Sequence, residues 1–169
     1  MPTARVLLVA NRTAADPHLI SAVRSRAART PVMFHLVVPA TAQGLHRVVD
    51  PEVAGHEAAR ERLERALPIL SEAAGQEVTG EVGDANPLAA VTDALHLHGF
   101  DEIILSTLPW RLSRWLRIDL PSKIGALGVP MLHVTSSQAE ALDRHLSAPA
   151  THISLQRTRP RAAAKTHTS

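Results

Sequence analysis

The fold is decided by residues 5–17, which read RVLLVANRTAADP. They open with a continuous apolar run, which is typical of a strand buried on both faces of a parallel sheet. A polar turn follows at residues 11–13. Asp16 and Pro17 then predict a helix start, with Asp as N-cap and Pro in the first turn. A buried strand that leads directly into a helix is the building unit of α/β domains.

The same alternation of strand and helix continues to residue 135. Four further strands are predicted at residues 32–38, 76–82, 101–107 and 129–135. Helices are predicted over residues 17–29, 51–74, 87–98 and 119–127, and Pro68 should kink or divide the longest of them. We therefore predict a Rossmann-like, doubly wound α/β domain over residues 1–135, with a five-stranded parallel sheet and helices on both faces.

The long helix predicted at residues 51–74 is amphipathic. Leu63, Leu67 and Leu70 share one face, which should pack on the sheet. The charged residues at positions 61, 62, 64 and 65 are expected mostly on the opposite, solvated face.

The basic charge of the chain is concentrated at its end. Residues 1–143 carry 13 Lys/Arg and 16 Asp/Glu, whereas residues 144–169 carry five basic residues and no acidic one. We predict that residues 136–169 form a largely disordered basic tail, with one or two helical turns at 139–146. Nucleic-acid binding is expected only through this tail, because the domain itself has no excess of positive charge.

Composition excludes several classes of protein. The chain has no cysteine, so disulfides, thiolate metal sites and cysteine nucleophiles are excluded. No apolar run approaches the roughly 18–20 residues of a membrane span. Because the first residues lead directly into a strand without a cleavage site, we expect no secretory signal and a cytoplasmic location.

In an open α/β sheet, ligands bind beyond the carboxyl ends of the strands, where the strand order reverses. The loops that follow the predicted strands offer backbone amides, hydroxyls and helix N-termini, which suit an anion or a nucleotide. The candidate ligand-binding residues in these loops are Asn11, Val38, Gly83, Asp84, Asn86, Ser106, Thr107, Arg111, Arg114, Asp119 and Ser122.

Several of these candidates have a second, local interpretation. Asn11 at a strand end is typical of an Asx turn. Asp84, Asn86 and Asp119 precede prolines that begin helices, so capping would explain them. Ser106 and Thr107 end the predicted central strand, and ligand contact by their hydroxyls remains open.

Residues 109–117, PWRLSRWLR, form the most distinctive stretch of the chain. They contain both tryptophans and three arginines spaced three apart. One hypothesis is a surface that binds an anion or a protein partner, since Arg and Trp are enriched at such sites; stacking on nucleic-acid bases is a variant of it. The alternative is that the tryptophans cover the sheet and the arginines are solvated.

No catalytic or metal-binding constellation is evident. His96 and His98 lie two apart on a predicted helix and should point to different faces, which is poor geometry for a shared metal. The chain has no G-x-S-x-G, no P-loop and no G-x-G-x-x-G. We therefore predict neither catalytic residues nor a metal site.

The element order, the turn at residues 83–87 (GDANP) and the passage at 128–134 (GVPMLHV) together resemble the universal stress protein family. The resemblance covers residues 4–135. It implies a five-stranded parallel sheet of order 3-2-1-4-5. It also implies a homodimer, in agreement with the apolar run at 129–134, which would leave a sheet edge in need of a partner.

The family's ATP-binding members carry a G-x2-G-x9-G-S/T motif after strand four. Laid onto this chain, its three glycines fall on Ser106, Pro109 and Asp119, and its hydroxyl residue falls on Leu120. The family's nucleotide-contacting aspartate falls near Asn11. Because glycines let backbone amides approach phosphates and proline has no amide, the motif is degenerate here.

These observations favour a non-enzymatic, stress-related domain that binds a small ligand or a protein partner in a degenerate nucleotide cleft. The cofactor is unknown, and ATP or another adenine nucleotide is a weak candidate. Two alternatives remain open. One is a nucleotide-using enzyme of the same broad fold group, and the other is an interaction module that docks through its basic tail.

Overall fold

The computed structural model of the chain describes residues 2–41 and 51–136. The predicted tail, including its helical turns at 139–146, lies outside the described residues apart from residue 136. The strands are β1 Ala4–Val9, β2 Val32–Pro39, β3 Thr79–Gly83, β4 Glu102–Thr107 and β5 Met131–Thr135. The helices are α1 Pro17–Ala27, α2 Pro51–Ala74, α3 Pro87–His98, α4 Arg114–Arg117 and α5 Leu120–Gly125.

The five strands form one parallel sheet in the order β3-β2-β1-β4-β5, which confirms the predicted fold class. From β1 the chain adds β2 and β3 on one side and then returns to place β4 on the other. The strand order therefore reverses between β1 and β4, and the crevice that this creates opens beyond their carboxyl ends.

The core lies on both faces of the sheet, as the uninterrupted apolar strands predict. Alternate residues of β1 point to opposite faces: Val6 and Leu8 pack with α1 and α2, whereas Leu7 and Val9 pack with α3, α4 and α5. All four are completely buried. The carboxyl end of β1 is thus held rigidly from two sides.

Helix α2 is a single helix from Pro51 to Ala74 with Pro68 inside it, so of the two effects predicted for Pro68, a kink or a division, the division does not occur. Leu63, Ala66 and Leu70 are buried against the sheet on both sides of the proline. This packing outweighs the hydrogen bond that proline cannot donate. Among the described residues, no helix has the length and apolar character needed to cross a membrane.

An ion pair fixes α1 relative to β4, the two elements beside the crevice. Arg26 Nε donates to Glu102 Oε2 at 2.9 Å and Arg26 Nη2 donates to Glu102 Oε1 at 2.8 Å. The hydrogen bonds with Arg26 hold the pKa of Glu102 below its ordinary value, and the same contact raises the pKa of Arg26. The bidentate geometry sets the orientation of both side chains.

Candidate functional site: the cleft at the carboxyl edge of the sheet

Asn11, the first residue after β1 and Ala10, connects three elements at the carboxyl edge. Its Nδ2 donates to the Pro39 carbonyl at the end of β2 at 2.8 Å, and its Oδ1 accepts from Arg62 Nη1 of α2 at 2.7 Å. The side chain is buried. Asn11 is therefore a bridge between strands and helix, and the structure shows no Asx turn made by its side chain.

Arg62 is the cation that Asn11 holds at this edge. Burial lowers its pKa, and the nearby Arg12 lowers it further. Among the described residues, no carboxylate lies within ion-pair distance of the Arg62 guanidinium. Of the four charged residues expected mostly on the solvated face of α2, those at 61, 64 and 65 are exposed, whereas the Arg62 side chain is half-buried at the end of β1.

Ser106 lies on the other side of the crevice, in β4. Its carbonyl accepts from Thr13 Oγ1 at 3.0 Å, which ties the loop after β1 to β4. Its own hydroxyl is buried and has no hydrogen-bond partner among the described residues. A buried hydroxyl without a partner costs about 1–3 kcal/mol unless a water or a ligand satisfies it.

The N-terminus of α1 closes one side of the crevice. Asp16, completely buried, caps the helix by accepting from the His18 backbone N–H at 2.9 Å, and its second oxygen accepts from the Ser136 hydroxyl. His18 Nδ1 donates to the Thr135 carbonyl. The start of α1 is thereby attached to the end of β5, across β1 and β4.

Thr107, the second candidate hydroxyl in β4, already has a partner. Its Oγ1 lies 2.8 Å from Nε2 of His133 in β5. Burial lowers the pKa of His133, so at neutral pH its ring is neutral and Nε2 can accept the proton of the hydroxyl. The Thr107 hydroxyl therefore contributes to strand contact, and Ser106 is the hydroxyl available to a ligand.

The turn between β3 and α3 is explained by local structure. Asn86 Oδ1 accepts from the backbone N–H of Leu88 at 3.0 Å, which confirms Asn86 as a cap, while Asp84 Oδ1 accepts from the Asn86 N–H at 2.7 Å. A Cβ on Gly83 would lie 2.6 Å from the Ala90 Cβ. Val38 is completely buried in the core, so only its backbone can contribute to the cleft.

The two tryptophans of residues 109–117 have different environments. Trp115 is buried in the core beside α3, whereas Trp110 is 65% exposed. Ser113 caps α4 by accepting from the Leu116 N–H at 3.2 Å. The arginines of this segment are exposed, and Arg117 donates to the Arg111 carbonyl at 2.9 Å. Trp115 and the solvated arginines agree with the second alternative, Trp110 does not cover the sheet, and binding of an anion or partner by this segment stays a prediction.

Asp119 occupies the N-cap position of α5, but its side chain makes no capping hydrogen bond, so capping by its carboxylate is not observed. Its backbone is left-handed, with φ 55° and ψ 41°. It is the one described non-glycine residue with a positive φ. A left-handed backbone is the conformation that glycine adopts most readily, and Asp119 is the residue onto which the third glycine of the ATP-binding motif was laid. Ser122, one turn further on, is exposed.

Comparison with known proteins identifies the fold but no close relative. No protein-family model matches the chain, and neither does any curated protein. A universal stress protein solved in complex with cAMP matches with a TM-score of 0.55 and 14% identity, covering 79% of this chain and 98% of its own. A universal stress family protein from Burkholderia pseudomallei matches with a TM-score of 0.52 and 14% identity, covering 78% and 95%.

The chain is thus a doubly wound α/β domain with the fold of the universal stress proteins. This confirms the resemblance drawn from the turn at 83–87 and the passage at 128–134 at the level of the fold. At 14% identity the two neighbours show the fold of this chain, and a shared fold does not determine which ligand is bound.

Proposed function

We propose that this chain is a non-enzymatic, cytoplasmic, stress-related domain that binds a small ligand with a single phosphate in the carboxyl-edge cleft. The observation that carries the proposal is Arg62. A half-buried guanidinium whose one hydrogen-bond partner among the described residues is an amide oxygen is stabilised by an anion. Arg12 adds a second positive charge at the same edge, and guanidinium groups bind phosphate with two hydrogen bonds.

The opposite wall of the crevice supports the same ligand class. The Ser106 hydroxyl is buried and without a partner among the described residues, and it belongs to the strand adjacent to β1. Cleft polar groups of this kind fix the orientation of a ligand. The universal stress protein in complex with cAMP gives a precedent, in the same fold, for a nucleotide with one phosphate.

The loop after β4 disfavours a triphosphate. Pro109 has no backbone N–H where the family motif has its second glycine. Asp119 adds a carboxylate where the motif has its third. We therefore expect a triphosphate to bind weakly, because the loop lacks a backbone N–H donor for the phosphates and places a carboxylate near them.

Thermal unfolding in the presence of nucleotides tests the proposal. We expect millimolar AMP or cAMP to raise the Tm by several degrees, because a ligand at about 100 times its Kd stabilises a fold by about 2.7 kcal/mol. Millimolar Mg-ATP should produce no clear shift. Arg62→Ala should abolish the shift with AMP and cAMP. Arg60→Ala, which removes an exposed arginine of the same helix that pairs with Glu64, should leave it intact.

Three results would contradict the proposal: no shift with either monophosphate, an equal shift in the Arg62→Ala variant, or steady hydrolysis of the nucleotide. Hydrolysis would favour the alternative of an enzyme with this fold. A complementary variant, Pro109→Gly/Asp119→Gly/Leu120→Ser, restores three of the four positions of the family motif and should gain a Tm shift with Mg-ATP.

We further propose that the domain dimerises through β5. This strand is at one edge of the sheet, and Leu132 in it is 52% exposed. An exposed apolar edge strand tends to pair with another copy. Light scattering should give the mass of a dimer at tens of micromolar, and Leu132→Lys should shift it towards the monomer. A monomer mass for the unmodified chain would refute this arrangement.

A further inference from the structure

A second cluster of polar side chains lies away from the cleft, on the α3 face of the sheet. His35 of β2, Glu81 of β3 and His98 at the end of α3 place one potential ligand atom each within 4.8 Å of one another. His35 and Glu81 lie in the middle of β2 and β3. The cleft is at the carboxyl ends, so the two sites share no residue.

The distances in this cluster are too long for direct hydrogen bonds. Nε2 of His35 and Nε2 of His98 each lie 3.6 Å from Oε1 of Glu81. An N–H···O bond would bring the heavy atoms to about 2.7–3.2 Å. Two ligands of a tetrahedral zinc ion, each about 2.0–2.2 Å from the metal, are separated by roughly 3.3–3.5 Å. The two nitrogen–oxygen separations are therefore close to those of ligands around a zinc ion, and they also lie within ion-pair distance.

Both imidazole nitrogens are also buried without a partner. Neither His35 Nε2 nor His98 Nε2 has a hydrogen-bond partner among the described residues. The His98 side chain is 37% exposed and that of Glu81 39%, so the cluster has access to solvent on one side. A metal ion could enter there, and a water could complete its coordination.

The other nitrogen of His35 is already oriented. Its Nδ1 lies 2.8 Å from Oγ1 of Thr79, and that hydroxyl donates to the Phe34 carbonyl at 3.5 Å. Which of these two groups donates depends on the tautomer of His35, and the tautomer with its proton on Nδ1 leaves the lone pair of Nε2 facing Glu81. Metal-bound histidines are held by this kind of contact at their second nitrogen.

Phe100 forms a wall of the cluster. Its ring lies 5.9 Å from the ring of His35 and 6.2 Å from that of His98, and the two imidazoles are 5.1 Å apart, measured between centroids. Arg5 lies over the Phe100 ring at 5.5 Å and opposes a cation. Burial lowers the pKa of His35, with Glu81 opposing and His98 and Arg5 adding to the shift.

We propose that His35, Glu81 and His98 form a binding site for one divalent transition-metal ion, of which zinc is the natural occupant. Two imidazoles and a carboxylate are a ligand set typical of zinc, with the fourth position left for water. The ion would join edge strand β3 to the end of α3. It would stabilise the part of the sheet that has no neighbouring strand on its outer side.

Zinc titration of the full chain, freed of metal with a chelator and measured by competition with a chromophoric chelator, tests this site. We expect one tight site per chain and a Tm that rises with zinc. Glu81→Gln and His98→Ala should each weaken this site at least about tenfold and remove the zinc-dependent rise in Tm. His96→Ala removes an exposed histidine of the same helix and should change neither measurement.

Cobalt substitution adds a spectroscopic measurement. Cobalt(II) should give the intense visible absorption of a four-coordinate ion in the parent chain, and both ligand variants should lose it. The proposal is overturned if the parent has no one-to-one site, because the cluster is then an ion pair only. It is equally overturned if either ligand variant binds zinc as the parent does, because the metal is then held by other histidines of the chain.

Discussion

A Gly83→Ala variant should lose about 2 kcal/mol of unfolding free energy, which lowers the Tm by roughly 5–10 °C. The new Cβ would lie 2.6 Å from the Ala90 Cβ and 2.9 Å from the Val37 Cγ1. Neither is the far end of a flexible side chain, so α3 has to move away from the sheet. Alanine also lowers the backbone entropy of the unfolded chain relative to glycine, which offsets only about 0.4–1 kcal/mol of this loss.

Two comparison variants isolate this contact. Gly125→Ala, at a glycine in α5 with open space around its Cβ, should be neutral or slightly stabilising, because alanine is the better helix former. Adding Ala90→Gly to Gly83→Ala should recover stability beyond the sum of the two single changes, since it removes the nearest clashing atom. If Gly83→Ala unfolds as the parent does, α3 does not pack this closely against Gly83.

The strands and the fold class were predictable because the relevant signals are local. A continuous apolar run such as residues 6–10 needs no knowledge of its neighbours to indicate a buried parallel strand. The order of the strands depended on the family resemblance, since periodicity does not say which strands pair. The predicted start of strand three at residue 76 was too early. Ser71 accepts the backbone N–H groups of Gln76 and Val78 through its carbonyl and hydroxyl, so these residues complete the end of α2.

The position of the candidate cleft could be predicted from the fold class, but only some of the side chains that lie in it could. Asn11 and Ser106 follow from the rule that ligands bind beyond the carboxyl ends of strands. Arg62 was grouped with the neighbouring charged residues of α2, which were expected mostly on the solvated face. The helical pattern does not show which of these charged side chains lies over the edge of the sheet. The only sequence signal for it is that a strand-end Asn needs donors for its oxygen.

The histidine cluster could not be predicted from the sequence at all. His96 and His98 were considered together because they are close in the sequence, and their spacing correctly placed them on different faces. The neighbours of His98 are instead His35 and Glu81, which come from two other elements. Strand pairing brings these residues together, so their spacing along the chain does not indicate that they are neighbours.

The other large expected effect concerns Asp16, which connects α1 to the end of β5. Asp16→Ala should reduce the unfolding free energy by about 3 kcal/mol. Loss of the cap contributes about 0.5–2 kcal/mol, and the loss of a buried charge-assisted bond from Ser136 contributes about 1.5–3 kcal/mol. Both bonds are made by a completely buried carboxylate, so water cannot replace it without opening the structure.

Chemical denaturation of a graded series separates the two bonds. Asp16→Asn keeps an oxygen to cap α1 but presents an amide nitrogen towards Ser136, so its loss should be roughly half that of alanine. Asp93→Ala, at an exposed carboxylate of α3, should change the unfolding free energy by less than about 0.5 kcal/mol. Equal losses for Asp16→Ala and Asp93→Ala would show that β5 and α1 are joined by other contacts. Equal losses for Asp16→Ala and Asp16→Asn would assign the whole effect to the bond with Ser136.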